Sequence, residues 1–297
     1  MIKPKLDGLG ISLLIGLCLL FGLNQVVIKF ALEGISPIMQ AGIRSIGATL
    51  LICCWMRWRG ETIFRSDGAA WWGIMAGVLF AGEFLCLYLA LERTTASHAT
   101  VFLYTSPFIV ALGAHLFIPG ESLRLIQVLG LICAFIGMVF AFSDSMGGEV
   151  SLIGDLLAIT GAIFWGATTV ILRASPQRHL SAARVLLYQL AVSAVLLPIL
   201  SLLLGEPGIV EINDTVLAAM AFQIVMMAFI GYLGWFWLLS RYPASRVATS
   251  AFMTPLFGVV FAWLILDEAL TINLVGALLL VAFGIYLVNR PGARAPN

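Results

Sequence analysis

Glu83 and Arg44 stand well inside long apolar runs, where a charge must find a partner, a wet cavity or a proton. Three arrangements fit them: an Arg44–Glu83 ion pair bracing neighbouring helices, a proton-coupling carboxyl, or a contact to a ligand ammonium. We read Glu83 as cavity-lining and Arg44 as a brace. Asn24 and Gln25, within a helical turn of Gly22, can exchange hydrogen bonds with a small polar ligand or join helices as polar glue. Thr100 and Tyr104 are four residues apart and so share a helical face. Three residues beyond Tyr104, Pro107 removes a backbone donor and breaks or bends the helix. Pro255 repeats the feature, with Phe252 and Met253 in the places of Tyr104 and Thr105. Carbonyls freed at such breaks suit an ammonium, and a half-helix N-terminus suits a carboxylate. The bland readings are a packing kink at each proline and a core tyrosine at 104.

Aromatic residues complete the set. Trp165 begins near the middle of its run, away from the interfacial depth where tryptophans anchor, and suits a cavity wall or helix packing. Tyr232 and Trp235 share a face and correspond to Phe84 and Leu87 of an earlier run. Met75, Met226, Met227 and Met253 offer a pliable lining if they face inward, though methionine in such a helix more often packs.

Other chemistries find little support. The five cysteines lie in apolar runs without metal-ligand spacing. There are three histidines, no HExxH, no Gly-x-Ser-x-Gly elbow and no Walker A sequence, so neither an intramembrane enzyme nor an ATPase is expected. No cofactor and no metal is implied. A net charge of +1 suggests no nucleic-acid partner.

The chain that positions these residues has 297 residues, 61% of them hydrophobic and 10% charged, and its mean hydropathy is +1.06. A soluble domain carries about a quarter charged residues, so this is an integral membrane protein. Ten apolar stretches approach the ~20 residues of a spanning helix: 9–30, 37–58, 71–91, 97–118, 123–142, 152–172, 182–204, 216–239, 246–266 and 271–289. Lys3 and Lys5 precede the first, which we read as a retained span and not a cleaved signal. With the N-terminus inside, thirteen of the Lys and Arg residues fall on the cytoplasmic side, from Lys3, Lys5, Arg57, Arg59 and Arg65 to Arg290 and Arg294. Lys29 and Arg93 fall outside, beside Asp144, Glu149, Asp155, Glu206, Asp267 and Glu268. Basic residues stay inside, so both termini are expected there. Lys29, Arg173, His98, Arg246 and His115 are expected at the interfaces.

The runs repeat. Phe21-Gly22 with Lys29 seven residues on is matched by Trp165-Gly166 with Arg173. Ala96-Ser97-His98 before Pro107 is matched by Ala244-Ser245-Arg246 before Pro255. Matching runs are five crossings apart, and an odd number inverts the second copy. The expected fold is therefore all-α integral membrane, ten transmembrane helices as two inverted five-helix repeats, divided at 1–146 and 147–297. Inverted repeats build substrate sites near the bilayer midplane.

These paired motifs, with Glu121 after Pro119-Gly120 and Asp267-Glu268 after the ninth run, resemble the EamA branch of the drug/metabolite transporter superfamily. The aromatic interior is most similar to exporters of aromatic amino acids in bacterial inner membranes. The resemblance implies a basket in which runs one, three, four, six, eight and nine surround a cavity, two and seven brace it, and five and ten lie outside. It implies a secondary exporter of amino acids or similar small metabolites working by alternating access, with a broad drug or toxin exporter as the alternative. The expected partners are a small-molecule substrate and the lipid bilayer, the chain acting as a monomer.

Overall fold

In the computed structural model the protein is described over residues 6–63, 68–143, 151–267 and 273–290. Lys3, Lys5, Arg65, Asp144, Gly147, Gly148, Glu149, Glu268 and Arg294 lie outside the described residues.

Side-chain caps start several helices by satisfying their first free N–H groups. Asp7 accepts from the Gly10 N–H at 2.9 Å and opens α1 (Gly8–Leu32). Then come α2 (Pro37–Trp58) and α3 (Ala70–Leu91). The fourth apolar run is two helices, α4 (Ala96–Leu103) and α5 (Ser106–Phe117), followed by α6 (Leu125–Ala141). In the second half, α7 (Leu152–Ala174) and α8 (Ala182–Leu203) precede α9 (Asp214–Phe222) and α10 (Tyr232–Arg241). The ninth run is again two helices, α11 (Ala244–Ser250) and α12 (Met253–Leu266), and α13 (Asn273–Asn289) closes the series.

Residues Gln223–Gly231, between α9 and α10, wind with i→i+5 bonding, which periodicity did not foretell. An extra residue turns all that follows by about 100° relative to an α-helix. The faces of α10 are thereby reset against α9.

Among the described residues, eight helices are long and apolar enough to cross a membrane, counting α4–α5, α9–α10 and α11–α12 as continuous; α6 and α13 are shorter apolar helices of 17 residues each. Large apolar side chains cover the outside: Leu125, Leu152 and Leu203 are each more than 70% exposed. Water would not tolerate so continuous an apolar surface, whereas lipid does.

Helix pairing is preserved when α1–α6 and α7–α13 are exchanged. α1 packs on α12, and α7 on α5. α3 packs on α7, and α9–α10 on α1. α2 packs on α8, and α6 on α13. Glycine makes the last contact intimate: a Cβ on Gly130 would lie 2.7 Å from the Gly284 carbonyl oxygen.

Candidate functional site

Two broken helices and two glycine contacts create the site. Backbone turns at Tyr104–Thr105 and at Ala251–Phe252 interrupt the fourth and ninth runs just upstream of Pro107 and Pro255. The interruptions close with i→i+3 bonds, among them Phe108 N–H to the Thr105 carbonyl and Thr254 N–H to the Ala251 carbonyl. Gly22 lets α1 approach the far half of one broken helix: a Cβ there would meet the Phe257 Cβ at 2.7 Å and the Gly258 nitrogen at 2.8 Å. Gly166 does the same for α7, where a Cβ would meet Ile109 at 2.6 Å. The aromatic-glycine motif is thus a packing device. Its glycine admits the neighbouring helix, and its aromatic residue, Phe21 or Trp165, turns to the cavity.

That cavity has a volume of about 190 Å³, and its wall is mainly aromatic and apolar with a few polar groups, the composition of a small-molecule site. α1 contributes Phe21, Asn24 and Gln25, and α3 contributes Phe80, Glu83, Phe84 and Leu87. Leu103 and Tyr104 enter from one break, Ala251 and Thr254 from the other. α7 supplies Trp165, Thr168 and Thr169, α8 supplies Gln189, and Met227, Tyr232, Trp235 and Phe236 close the wall. Rings meet around it. Phe21 lies 6.1 Å from Tyr232 and 6.0 Å from Trp235, Phe80 lies 5.6 Å from Tyr232, and Tyr104 lies 5.6 Å from Trp165.

Of the residues singled out from sequence, Asn24, Gln25, Glu83, Leu87, Tyr104, Trp165, Tyr232 and Trp235 come together on this wall. Thr100, Phe252 and Met253 do not. Thr100 is half-buried on α4, a turn away from the break that carries Tyr104 inward. Phe252 is fully buried behind Tyr104, 6.4 Å away, and also touches Phe108 and Phe135. Relative to its proline, the second break begins one residue earlier than the first. Ala251 therefore takes the cavity position, and Phe252 and Met253 turn into the packing.

Sequence reasoning missed Thr168, Thr169 and Gln189. The repeat contained the signal for the first two: aligning Gly22 with Gly166 sets Asn24 on Thr168 and Gln25 on Thr169. Likewise, aligning the serines before α2 and α8, Ser36 and Ser181, sets Arg44 on Gln189.

Of the three arrangements open to Arg44 and Glu83, the ion pair is not formed. Glu83 Oε2 and Arg44 Nε and Nη2 are buried without hydrogen-bond partners. The Arg44 carbon Cζ lies 4.8 Å over the Phe84 ring, a cation–π contact outside the cavity wall.

The two ends of the bundle carry matching ties. The Tyr242 hydroxyl donates to Asp7 at 2.6 Å where Gly10 lets α1 approach. At the other end the Thr94 hydroxyl donates to Asp155 at 3.1 Å where Gly154 lets α7 approach, and His98 Nδ1 lies 3.3 Å from the same Asp155 oxygen. Among the described residues no cluster of His, Cys, Asp or Glu could hold a metal ion.

A bundle of apolar helices around one small-molecule cavity, with helices broken beside it, defines a polytopic membrane carrier. The chain belongs to the EamA-like transporter family, whose model matches residues 8–143 and again residues 152–290. The uncharacterized transporter YvbV of Bacillus subtilis (strain 168) is 30% identical over 281 residues, 93% of this chain and 90% of that protein. A probable amino-acid metabolite efflux pump of Escherichia coli (strain K12) is 28% identical over 285 residues, covering 90% of each chain. A solved crystal structure, 20% identical, matches with a TM-score of 0.81 over 93% of this chain and 96% of its own, which shows the shared fold. The protein is a multi-pass membrane transporter and not an enzyme.

Proposed function

We propose that this protein is a secondary exporter of amino acids or similar small metabolites in the bacterial inner membrane. Ten helices cross the bilayer as two inverted five-helix repeats, 1–146 and 147–297, with both termini in the cytoplasm. The halves rock about the central cavity, which opens to one side and then the other. One chain supplies both halves, so the functional unit is the monomer.

The observation that carries this reading is an aromatic cavity holding an unpartnered, buried carboxyl. Glu83 is 9% exposed and Asn24 is 3% exposed, and both present oxygens that lack hydrogen-bond partners. Unpaired polar groups in an apolar surround are costly, so a bound ligand is the partner they suit. Asn24, Gln25, Glu83, Leu87, Tyr104, Trp165, Tyr232 and Trp235 form the substrate-binding set, with Thr168, Thr169 and Gln189 added to it. The helix breaks at Pro107 and Pro255 give the walls their hinge.

Purified protein in liposomes tests this. Preloaded unlabelled phenylalanine should drive counterflow of radiolabelled phenylalanine, and Glu83→Gln should reduce it. No counterflow of any amino acid, with cationic drugs exchanged instead, would assign the protein to the drug-exporter alternative. For coupling, pH-driven uptake that survives unchanged in Glu83→Gln would remove Glu83 as the proton carrier.

A further inference from the structure

Resting on the cavity as the transport site, we infer that it reads the substrate's ammonium and not its carboxylate. Aromatic amines are therefore substrates alongside aromatic amino acids.

Among the fully buried side-chain atoms of the wall, those without hydrogen-bond partners are mostly acceptors. Three buried acceptors lack partners: Glu83 Oε2, Asn24 Oδ1 and Gln189 Oε1. Among the described lining residues, Gln189 Nε2 is the one fully buried donor without a partner. Thr168 and Thr169 add to the acceptor side. Their hydroxyls donate to the carbonyls of Phe164 (2.8 Å) and Trp165 (3.3 Å), which leaves lone pairs for a ligand. A primary ammonium brings three N–H donors and a positive charge.

Charge points the same way. Glu83 is ionisable as an acid, and among the described residues no lysine or arginine lines the cavity. Arg44 is only 2% exposed and sits over the Phe84 ring, outside the wall. A substrate carboxylate thus contacts no cation among the described lining residues, Arg44 lying behind the Phe84 ring, whereas an ammonium meets a carboxyl and aromatic faces that attract cations. The same faces stack on an aromatic body.

Three probes sharing one ring separate the groups: phenethylamine, phenylalanine and 3-phenylpropionate. Their binding is measured on the full chain in nanodiscs, with protein-free nanodiscs subtracted. The amine should bind within about threefold of phenylalanine, and the acid about tenfold more weakly than either, the worth of one hydrogen bond to a charged group. Glu83→Gln should weaken the amine and the amino acid about tenfold and leave the acid unchanged. The comparison on unaltered protein needs no variant, and Gln189→Leu gives a second one with the same expected sign for the amine. Equal binding of acid and amine would overturn the inference, as would phenylalanine binding more than about tenfold tighter than the amine. In both cases the cavity would remain a binding site. If none of the three binds, the cavity is not the site, and the inference falls with that reading.

Discussion

Arg173 reaches Glu121 across the bundle: its Nη2 donates to Oε1 at 2.9 Å, tying the end of α7 to the connection between α5 and α6. Glu121 also accepts the Ala244 N–H at 2.9 and 3.1 Å, holding the start of α11, while Arg173 Nη1 donates to the Leu239 carbonyl at 2.5 Å. One ion pair therefore fastens four segments from both halves. Both side chains are at least nine-tenths buried, so removing one partner strands the other. Glu121→Ala should destabilise by about 3 kcal/mol, read as a lower melting midpoint in detergent. A midpoint shift within error would mean the pair is dispensable.

Glu206 gives a pH test. Burial pushes its carboxyl upward, but hydrogen bonds from Ser201, Ile38, Ser36 and Met39 outweigh that and hold it below its ordinary value. With a lowered folded value, its contribution to stability is full above the ordinary carboxylate range. It is lost as pH falls through the folded value. Melting midpoints of the natural protein should fall on acidification below about pH 5 more steeply than those of Glu206→Gln. Parallel curves would contradict this.

The two motif glycines should be intolerant in the same way. A side chain on Gly22 or Gly166 collides with the broken helix opposite, whereas Gly16 has nothing within 4 Å of a new Cβ. Leucine at 22 or 166 should cost about 1–3 kcal/mol or abolish folding, and at 16 should be near neutral. Size-exclusion profiles and thermal melts distinguish the three.

Phe252 and Trp165 should separate stability from transport. Phe252 is fully buried, so Phe252→Ala should cost about 3–5 kcal/mol of stability. Trp165 lines the cavity and is half-buried. Trp165→Ala should weaken substrate binding with a smaller effect on melting. The reverse pattern would place Phe252 in the site.

The ties at the two ends should bias the molecule in opposite senses if the halves rock. Tyr242→Phe removes the Asp7 bond at one end, and Thr94→Val removes the Asp155 bond at the other. Thiol labelling at cavity positions should rise from the cytoplasmic side in the first variant and from the outer side in the second. Identical labelling in both would show that these bonds do not hold the ends shut.

Much of this arrangement is legible in the order of the amino acids. Paired motifs carry the offset that relates Phe21 to Trp165, and the same offset finds Thr168 from Asn24. Prolines at 107 and 255 mark the breaks because a missing N–H and a fixed φ act locally. What periodicity could not reveal is rotation about a helix once the helix is irregular. One residue of difference at the second break turned Phe252 into the packing and brought Ala251 to the wall. The i→i+5 stretch before Tyr232 is another such irregularity, although Tyr232 and Trp235 beyond it still reach the wall.

The sequence alone determined a protein of long apolar helices, repeated once, with a handful of polar groups inside them. Apolar length, proline chemistry and spacing are local properties, and a linear chain records them. Tertiary structure alone decided which groups share a cavity: Gln189 on it, Arg44 parked over Phe84 beside it, Glu83 left without an ion pair. Those outcomes depend on how closely backbones approach at Gly22 and Gly166, and on the rotation each neighbour imposes. Only packing in three dimensions sets either one.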